Sequence, residues 1–173
     1  TTEDGAYTLT AGGISGNTVT RNAGWEWAVP TTNEWYKAAY HQPAGMGGDA
    51  DNYWLYPTSS NTAPTGAQAN YLPSGIGNTV PVASYAANYY AAHDMAGNVY
   101  EWSDTLLAPP VRGQLFGGAF DNIAGWLTPA NVYTPPHMTE REQVGFRVVQ
   151  LPAPSAGVLM ALGGMMAARR RRA

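Results

Sequence analysis

The sequence predicts an α+β fold that is rich in loops, with short antiparallel strands and few helices. Its 173 residues include 20 glycines and 13 prolines, which favour turns over long regular elements. The aromatic residues are mostly Tyr and Trp, 11 and 6 against 3 Phe, and their polar atoms can bond to irregular backbone inside a core. Because 45% of the residues are hydrophobic and only 12% are charged, the composition is that of a folded domain and not of a disordered chain.

Residues 31–42 carry the strongest helix signal. Thr31 and Glu34 have the spacing of a capping box, in which each side chain bonds to the backbone of the other residue. The expected apolar face consists of Trp35, Ala38 and Ala39. We therefore predict a helix packed on the surface of the domain and assign no chemistry to Glu34.

Short strands separated by turns are predicted in the rest of the chain. They fall at residues 6–9, 17–20, 80–82, 99–102, 111–120 and 144–149. Because Pro81 lacks an N–H, the strand that contains it is expected at a sheet edge. Residues 43–66 and 121–143 are predicted to be loops. Asp49, Asp51 and Asn52 suggest the start of a calcium loop, but Trp54 stands where an EF-hand requires Gly, so no metal is assigned there.

The most informative segment is Asp-Met-Ala-Gly-Asn-Val-Tyr-Glu-Trp, residues 94–102. Two carboxylates, Asp94 and Glu101, stand on either side of a Gly97-Asn98 turn, and Gly97 can take a positive φ at little cost. From the residues alone two interpretations stay open. The segment is either a β-turn with a capping Asp and a solvated Glu, or part of a calcium site, since calcium takes six to eight oxygen ligands.

This segment is similar to the D-M-x-G-N-V-W-E-W stretch of the formylglycine-generating enzyme (sulfatase-modifying factor) family. Three more motifs resemble that family in the family's order, at residues 29–40 (V-P-T-T-N-E-W-Y-K-A-A-Y), 112–120 (R-G-Q-L-F-G-G-A-F) and 145–149 (G-F-R-V-V). The resemblance implies the formylglycine-generating-enzyme fold, which is related to C-type lectin folds, for residues 1–150. It also implies that an N-terminal part of the family domain precedes Thr1.

The resemblance further implies calcium as a cofactor. Its ligands would be the side chains of Asp94 and Glu101 and the carbonyls of Gly97 and Val99. A second calcium site of the family would begin at Asn70 and Tyr71.

The resemblance does not extend to the family's oxidase chemistry. In active members of the family, two cysteines after a Gly-Gly-Ser-Trp motif hold copper, whereas this sequence has no cysteine and has Ala119 in place of Ser. Because copper(I) selects thiolate or thioether ligands, we expect no copper and no catalytic residue of this kind. His41, His93 and His137 are scattered and form no metal or nucleophile motif.

The remaining charged residues near the C-terminal end of the domain are assigned no catalytic or metal-binding role. Glu140, Arg141 and Glu142 are predicted to be solvated loop charges, and Arg147 is predicted to form a partly buried ion pair. Residues 1–168 hold five basic and twelve acidic groups, which argues against nucleic acid as a partner.

Residues 151–173 have the composition of a separate module. Pro152 and Pro154 precede a mostly apolar run at 155–168, which ends at the basic cluster Arg169, Arg170, Arg171 and Arg172. As a helix the run would be about 21 Å long, which is shorter than a hydrocarbon core of about 30 Å. Its apolar residues lie on all sides and leave no polar face. We therefore predict a short, transient membrane anchor whose arginines stay on the cytoplasmic side.

The order of prolines, apolar run and arginines resembles the PEP-CTERM sorting signal, which exosortase, a membrane protease, recognises. The usual Glu between the prolines is Ala153 here. The resemblance implies a bacterial protein that is exported to the cell envelope or matrix, with an exosortase-type protease as a partner.

The sequence thus favours an exported, calcium-stabilised, non-catalytic binding or structural domain, whose aromatic-rich loops suggest saccharide as a ligand by analogy of fold. The alternative is an enzyme of the sulfatase-modifying-factor superfamily with a different active site in the missing N-terminal half. A product of a decayed gene is a third interpretation.

Overall fold

The computed structural model describes residues 5–46, 51–107 and 112–150, so the predicted sorting tail at 151–173 lies outside the described residues. The chain divides into two compact units, one formed by Thr1–Ala28 with Val149–Ala173 and the other by Val29–Val148. Within the described parts the helices are α1 (Ala11–Gly16) and α2 (Thr32–Tyr40), with 3₁₀ turns at Leu72–Ser74 and Ala124–Leu127. The strands are β1 (Trp27–Ala28), β2 (Tyr100–Trp102), β3 (Leu115–Phe116), β4 (Val144–Phe146) and β5 (Val149–Gln150). The α+β, loop-rich prediction is confirmed.

The larger unit, Val29–Val148, is built on a three-stranded sheet in the order β3-β2-β4. β2 pairs antiparallel with β3, and Glu101 stands opposite Phe116. β2 pairs parallel with β4, and Glu101 stands opposite Gly145. The sheet is therefore mixed, since it adds a parallel pair to the antiparallel pairing that the sequence predicted.

Helix α2 begins at the predicted capping box. Thr31 accepts from the backbone N–H of Glu34 at 3.2 Å, and the Glu34 carboxylate accepts from the backbone N–H of Thr31 at 2.7 Å. The predicted apolar face packs inward, since Trp35 and Ala39 are buried. The Trp35 ring stacks on Phe116 with their centroids 5.0 Å apart, which fixes α2 against strand β3.

Two further clusters complete the core of this unit. One contains Tyr56, Ala69, Tyr71, Ala96 and Leu127. The other contains Tyr100, Leu115 and Ala119, with Trp102 and Tyr133 packed against it. Tyr100 and Trp102 thus lie on one face of β2, as their alternation in the sequence predicted, and Glu101 points to the opposite face.

The Gly97-Asn98 turn is held by Asn70, which is fully buried. Gly97 has φ +76°, and a Cβ on it would overlap the carbonyl oxygen of Asn70. That carbonyl accepts from the backbone N–H of Asn98 at 2.6 Å. Only glycine satisfies both the positive φ and this close approach of two backbones.

Three strand predictions are wrong. Residues 17–20 form no strand, and in the segment 6–9 only Tyr7 makes an isolated bridge, to Arg21. The intervening residues instead form α1, whose first turn is capped by the Thr10 side chain. Residues 80–82 form no strand because the Asn98 side chain bonds to both the N–H and the carbonyl of Val80, at 2.9 and 3.2 Å.

In the smaller unit, β1 pairs antiparallel with β5, so Trp27 stands opposite Gln150. Over the described ranges of both units, no helix has the length and apolar character needed to cross a membrane.

Candidate functional site

The carboxylate of Asp94 caps a neighbouring loop. It accepts a hydrogen bond from the backbone N–H of Ala83 and another from that of Tyr85, the latter at 3.2 Å. Asp94 itself has φ +53°, a left-handed conformation that Asp tolerates better than most residues. The side chain therefore has a structural role in joining the segment 83–85 to the turn.

The carboxylate of Glu101 has partners from two distant parts of the larger unit. The residue is only 6% exposed, and one of its oxygens accepts from the indole N–H of Trp35 at 2.6 Å. Nε and Nη2 of Arg147 donate to the two carboxylate oxygens, which makes a bidentate ion pair. Nη2 of Arg147 also donates to the carbonyl of His93 at 3.2 Å. The predicted ion pair of Arg147 is confirmed, and its partner is Glu101.

These side chains face one cavity of about 390 Å³. Its wall includes Asp94, Val99, Glu101 and Arg147, together with exposed apolar groups such as Phe146. The structure therefore brings together three of the residues that the sequence assigned to calcium.

The remaining three assigned residues are placed differently. Gly97 forms the turn beside this cavity, and its N–H donates to the carbonyl of Gly117 at 2.7 Å. The carbonyl of Asn70 accepts from Asn98, and the carbonyl of Tyr71 accepts from Ser74 at 2.8 Å. The Tyr71 side chain lies in the core, where its hydroxyl donates to the carbonyl of Pro64. Asn70 and Tyr71 are thus used to build the turn and the core.

Whether these residues fit a calcium ion depends on the free coordination capacity of the Glu101 carboxylate. A calcium ligand set needs six to eight oxygens, and this cavity offers two carboxylates and nearby carbonyls. One carboxylate, that of Glu101, already has a guanidinium on both of its oxygens. A cation bound there would face the positive charge of Arg147 at close range. The residues therefore do not fit calcium as long as the ion pair is formed.

The segment where the family's cysteines would stand, residues 117–127, is mostly apolar; its two ends are buried, whereas Asp121, Ile123 and Trp126 are exposed. Gly117 and Gly118 both have positive φ, and Ala119, Phe120 and Leu127 are buried. No residue of this segment carries a thiol, because the sequence contains no cysteine.

A second cavity, of about 260 Å³, lies next to that segment. Three aromatic residues line it, namely Tyr100, Trp126 and Tyr133. The Tyr100 ring meets the Trp126 ring nearly at a right angle and lies 5.3 Å from the Tyr133 ring, between centroids. We call this the aromatic cavity.

Polar side chains complete the aromatic cavity: Asp121, Asn122, Arg141 and Gln143. Amide groups of Asn122 and Gln143 donate to the two oxygens of Asp121, at 3.2 and 3.4 Å. Burial, with the nearby Asp121 and Tyr133 as smaller causes, raises the pKa of Tyr100 to about 12. Tyr100 therefore stays neutral at physiological pH and presents a hydroxyl beside a carboxylate.

Sequence reasoning did not find the aromatic cavity. It assigned Arg141 to a solvated loop and residues 121–143 to a loop without a role. The signal that was present is the recurrence of Tyr100, Trp126 and Tyr133, but their distance along the chain does not reveal that the rings meet.

The family and the fold are also recorded in comparisons with known proteins. Residues 4–151 match the family model described as "Sulfatase-modifying factor enzyme 1-like domain". Over 38 residues, 22% of this chain and 6% of the relative, the chain is 55% identical to serine/threonine-protein kinase pkn1 of Chlamydia caviae. The chain thus spans a small part of that relative.

Among solved structures, the chain is similar to Treponema denticola variable protein 1, with a TM-score of 0.62 and 22% identity over 79% of this chain and 52% of the other. It is similar to CarF, with a TM-score of 0.60 and 26% identity over 78% of this chain and 52% of the other. It is also similar to PvdO from Pseudomonas aeruginosa, with a TM-score of 0.54 and 19% identity. That match covers 73% of this chain and 53% of PvdO. The chain covers about half the length of each.

Proposed function

Because the chain belongs to the family of sulfatase-modifying factor enzyme 1-like domains, we propose that it is a non-catalytic, ligand-binding member of that family. The observation that carries this proposal is the aromatic cavity beside a segment with no cysteine. The thiolates that the family's copper chemistry requires are absent from this sequence, whereas a lined cavity is present at the same place. Among the described residues that line it, none is a serine, threonine or cysteine.

The lining of the aromatic cavity suits a saccharide. Trp126 is 37% exposed, so one part of its ring is available to stack on the apolar face of a sugar. Asp121 is fixed by two amide donors and can accept hydrogen bonds from a pair of hydroxyls. Arg141 supplies donors in a planar fork. An aromatic surface surrounded by a few convergent polar groups is typical of a small-molecule site.

The proposal also places the domain at the cell envelope or in the extracellular matrix. The support is the sequence of the tail, where Pro152 and Pro154 precede the apolar run and Arg169 to Arg172 follow it. An exosortase-type protease would release the domain by removing this tail. Coexpression of the full chain with such a protease should then shorten it by about the length of the tail, measured by mass spectrometry. An unchanged mass would contradict this part of the proposal.

Calcium stabilisation stays a separate prediction. Asp94 and Glu101 can hold calcium only if Arg147 leaves Glu101, so calcium and the ion pair are alternatives. The binding role of the aromatic cavity does not depend on whether Glu101 binds calcium or pairs with Arg147.

The binding proposal is tested with the full chain on an immobilised panel of saccharides, followed by calorimetry with the best binder. We expect Trp126→Ala to weaken binding about fivefold or more, because stacking on an aromatic ring contributes on the order of 1 kcal/mol or more. Trp27→Ala is the matched control, since Trp27 is also an exposed tryptophan but lies in the other unit. No binding to any saccharide, or equal loss in both variants, would contradict the proposal.

A further inference from the structure

A third cavity, of about 350 Å³, lies on the larger unit. Its wall contains Tyr36 of helix α2 and the consecutive residues Tyr53, Trp54 and Leu55, and the exposed Asp51 and residues 129–130 also line it. We call it the tyrosine cavity. Its volume is at the lower end of the range of about 300–1,000 Å³ in which small-molecule sites fall. Tyr36 lies within the family motif at residues 29–40, but the proposed function does not use this cavity.

The tyrosine rings of this cavity are held in place from behind. Tyr36 and Tyr53 meet with their centroids 5.2 Å apart and their planes at 62°. Tyr40 supports Tyr36 at 5.1 Å, and the His41 ring supports Tyr53 at 5.7 Å. Because these contacts hold both rings in place, a ligand that meets them does not require rearrangement of the protein.

The backbone fixes the same geometry. The N–H of Trp54 donates to the carbonyl of Tyr40 at 2.7 Å, and the N–H of Gln42 donates to the carbonyl of Asn52 at 2.7 Å. These bonds tie the segment that carries Tyr53 to the end of helix α2. The two tyrosines therefore keep their relative position as parts of one rigid element.

The electrostatic character of the tyrosine cavity is acidic. An oxygen of Asp51 accepts from the backbone N–H of Tyr53 at 3.0 Å, which anchors the carboxylate next to the rings. Burial raises the pKa of Tyr36, and Tyr53 and the charge of Asp51 raise it further. Among the described residues that line the cavity, none is Lys, Arg or His. The wall thus combines a negative charge with aromatic rings.

We propose that the tyrosine cavity binds an organic cation of the quaternary ammonium class. Such a cation has a diffuse charge and an apolar surface, so aromatic faces attract it while little hydration is lost. A carboxylate at the rim adds a Coulombic attraction. The aromatic cavity differs in this respect because Arg141 lines it, and the tyrosine cavity therefore selects a different class of ligand. The two sites can be present or absent independently of each other.

The test uses tetramethylammonium and choline as probes in NMR titrations of the full chain. Since such ligands have few atoms, we expect a dissociation constant on the order of 1 mM or lower. The matched neutral probe is 3,3-dimethyl-1-butanol, which has the shape of choline without its charge. It should bind at least about tenfold more weakly if cation–π and Coulombic attraction hold the ligand. Equal binding of choline and its neutral analogue would overturn the proposal, as would no binding of either cation.

Variants locate the site on the protein. Asp51→Asn keeps an oxygen for the N–H of Tyr53 and removes only the charge, so it should weaken choline binding several-fold without unfolding the loop. Tyr53→Phe should retain most of the binding because the ring face remains, and Tyr53→Leu should abolish it. Glu140→Gln is the control, since Glu140 is exposed and lines none of the three cavities. Weakening by Glu140→Gln equal to that by Asp51→Asn, or unchanged binding in Tyr53→Leu, would overturn the assignment.

Discussion

The sharpest test of how the larger unit is stabilised is the removal of Arg147 from its ion pair. The Glu101 side chain is 8% exposed and the Arg147 side chain 23%. Arg147→Met keeps much of the apolar stem and leaves the carboxylate buried without its cation. Removing one partner of a buried pair costs about 3–5 kcal/mol in the free energy of unfolding. Because Arg147 is partly exposed, we expect a loss near the lower limit, about 3 kcal/mol.

The opposite change should cost less. Glu101→Gln retains an oxygen for the indole N–H of Trp35, and Arg147 can still donate to the carbonyl of His93 and to water. We expect a loss of about 1–2 kcal/mol, since a partly exposed guanidinium is easily solvated. The double variant should be less destabilised than the sum of the two single variants by about 1–3 kcal/mol, which is the coupling of groups in contact. Urea unfolding followed by tryptophan fluorescence measures all four free energies.

The same variants separate the ion pair from calcium. If Arg147 neutralises Glu101, the thermal midpoint of the wild-type chain should be the same in calcium and in chelator. Arg147→Met removes the competing guanidinium, so calcium should recover part of the lost stability through Asp94 and Glu101. Glu101→Gln should be indifferent to calcium in either background.

Two results would refute this reasoning. A wild-type midpoint that rises in calcium, and that Glu101→Gln makes insensitive, would show that the metal and not the guanidinium stabilises Glu101. Equal losses in Arg147→Met and Glu101→Gln, with no coupling in the double variant, would show that the pair contributes nothing specific.

Three further predictions concern single residues. Gly97→Ala should cost about 3 kcal/mol or more in the free energy of unfolding, because the Cβ overlaps the carbonyl of Asn70 and φ is positive. The control Gly75→Ala should cost only about 1–2 kcal/mol, since Gly75 also has a positive φ, +72°, but has open space around it. Tyr100 has its pKa raised from 10.0 to about 12, so the unfolded state loses that proton first. The stabilising contribution of the Tyr100 proton is complete below pH 10 and is lost as the pH rises to about 12. The loss is at most about 2.7 kcal/mol in the free energy of unfolding. Between pH 9 and pH 11.5, urea unfolding should show a steeper decline of this free energy in wild type than in Tyr100→Phe. Thr31→Ala should cost about 1 kcal/mol by urea unfolding through loss of the helix cap, and a loss below a few tenths would contradict the capping role.

Local signals in the sequence were sufficient for helix α2 and for the Gly97-Asn98 turn. The capping box of Thr31 and Glu34 lies within four residues, and the turn depends on one glycine with a positive φ. Such features form from neighbours in the chain, so they can be predicted without knowledge of the tertiary structure. The four family motifs extended this local information to the fold.

The partners of Glu101 could not be predicted from local sequence signals. The sequence indicated that Arg147 forms an ion pair and that Glu101 has a role, but it did not connect them. Their contact depends on the parallel register of β2 and β4, which no local pattern fixes. The strand expected at 80–82 is absent for a similar reason, since a side chain, that of Asn98, occupies the hydrogen-bonding groups of Val80. The tyrosine and aromatic cavities likewise combine residues from separate segments.

The position of Arg147 has a consequence for the order in which the larger unit matures during synthesis. Glu101 joins Trp35, 66 positions before it, to Arg147, 46 positions after it. A nascent chain that has not yet released Arg147 from the ribosome would have to bury Glu101 without a cation, which opposes early closure of the core around Trp35. Arg147, directly after strand β4, thus supplies the charge that permits helix α2 to dock. We expect this unit to remain open during translation and to close in one step when residues 144–147 emerge.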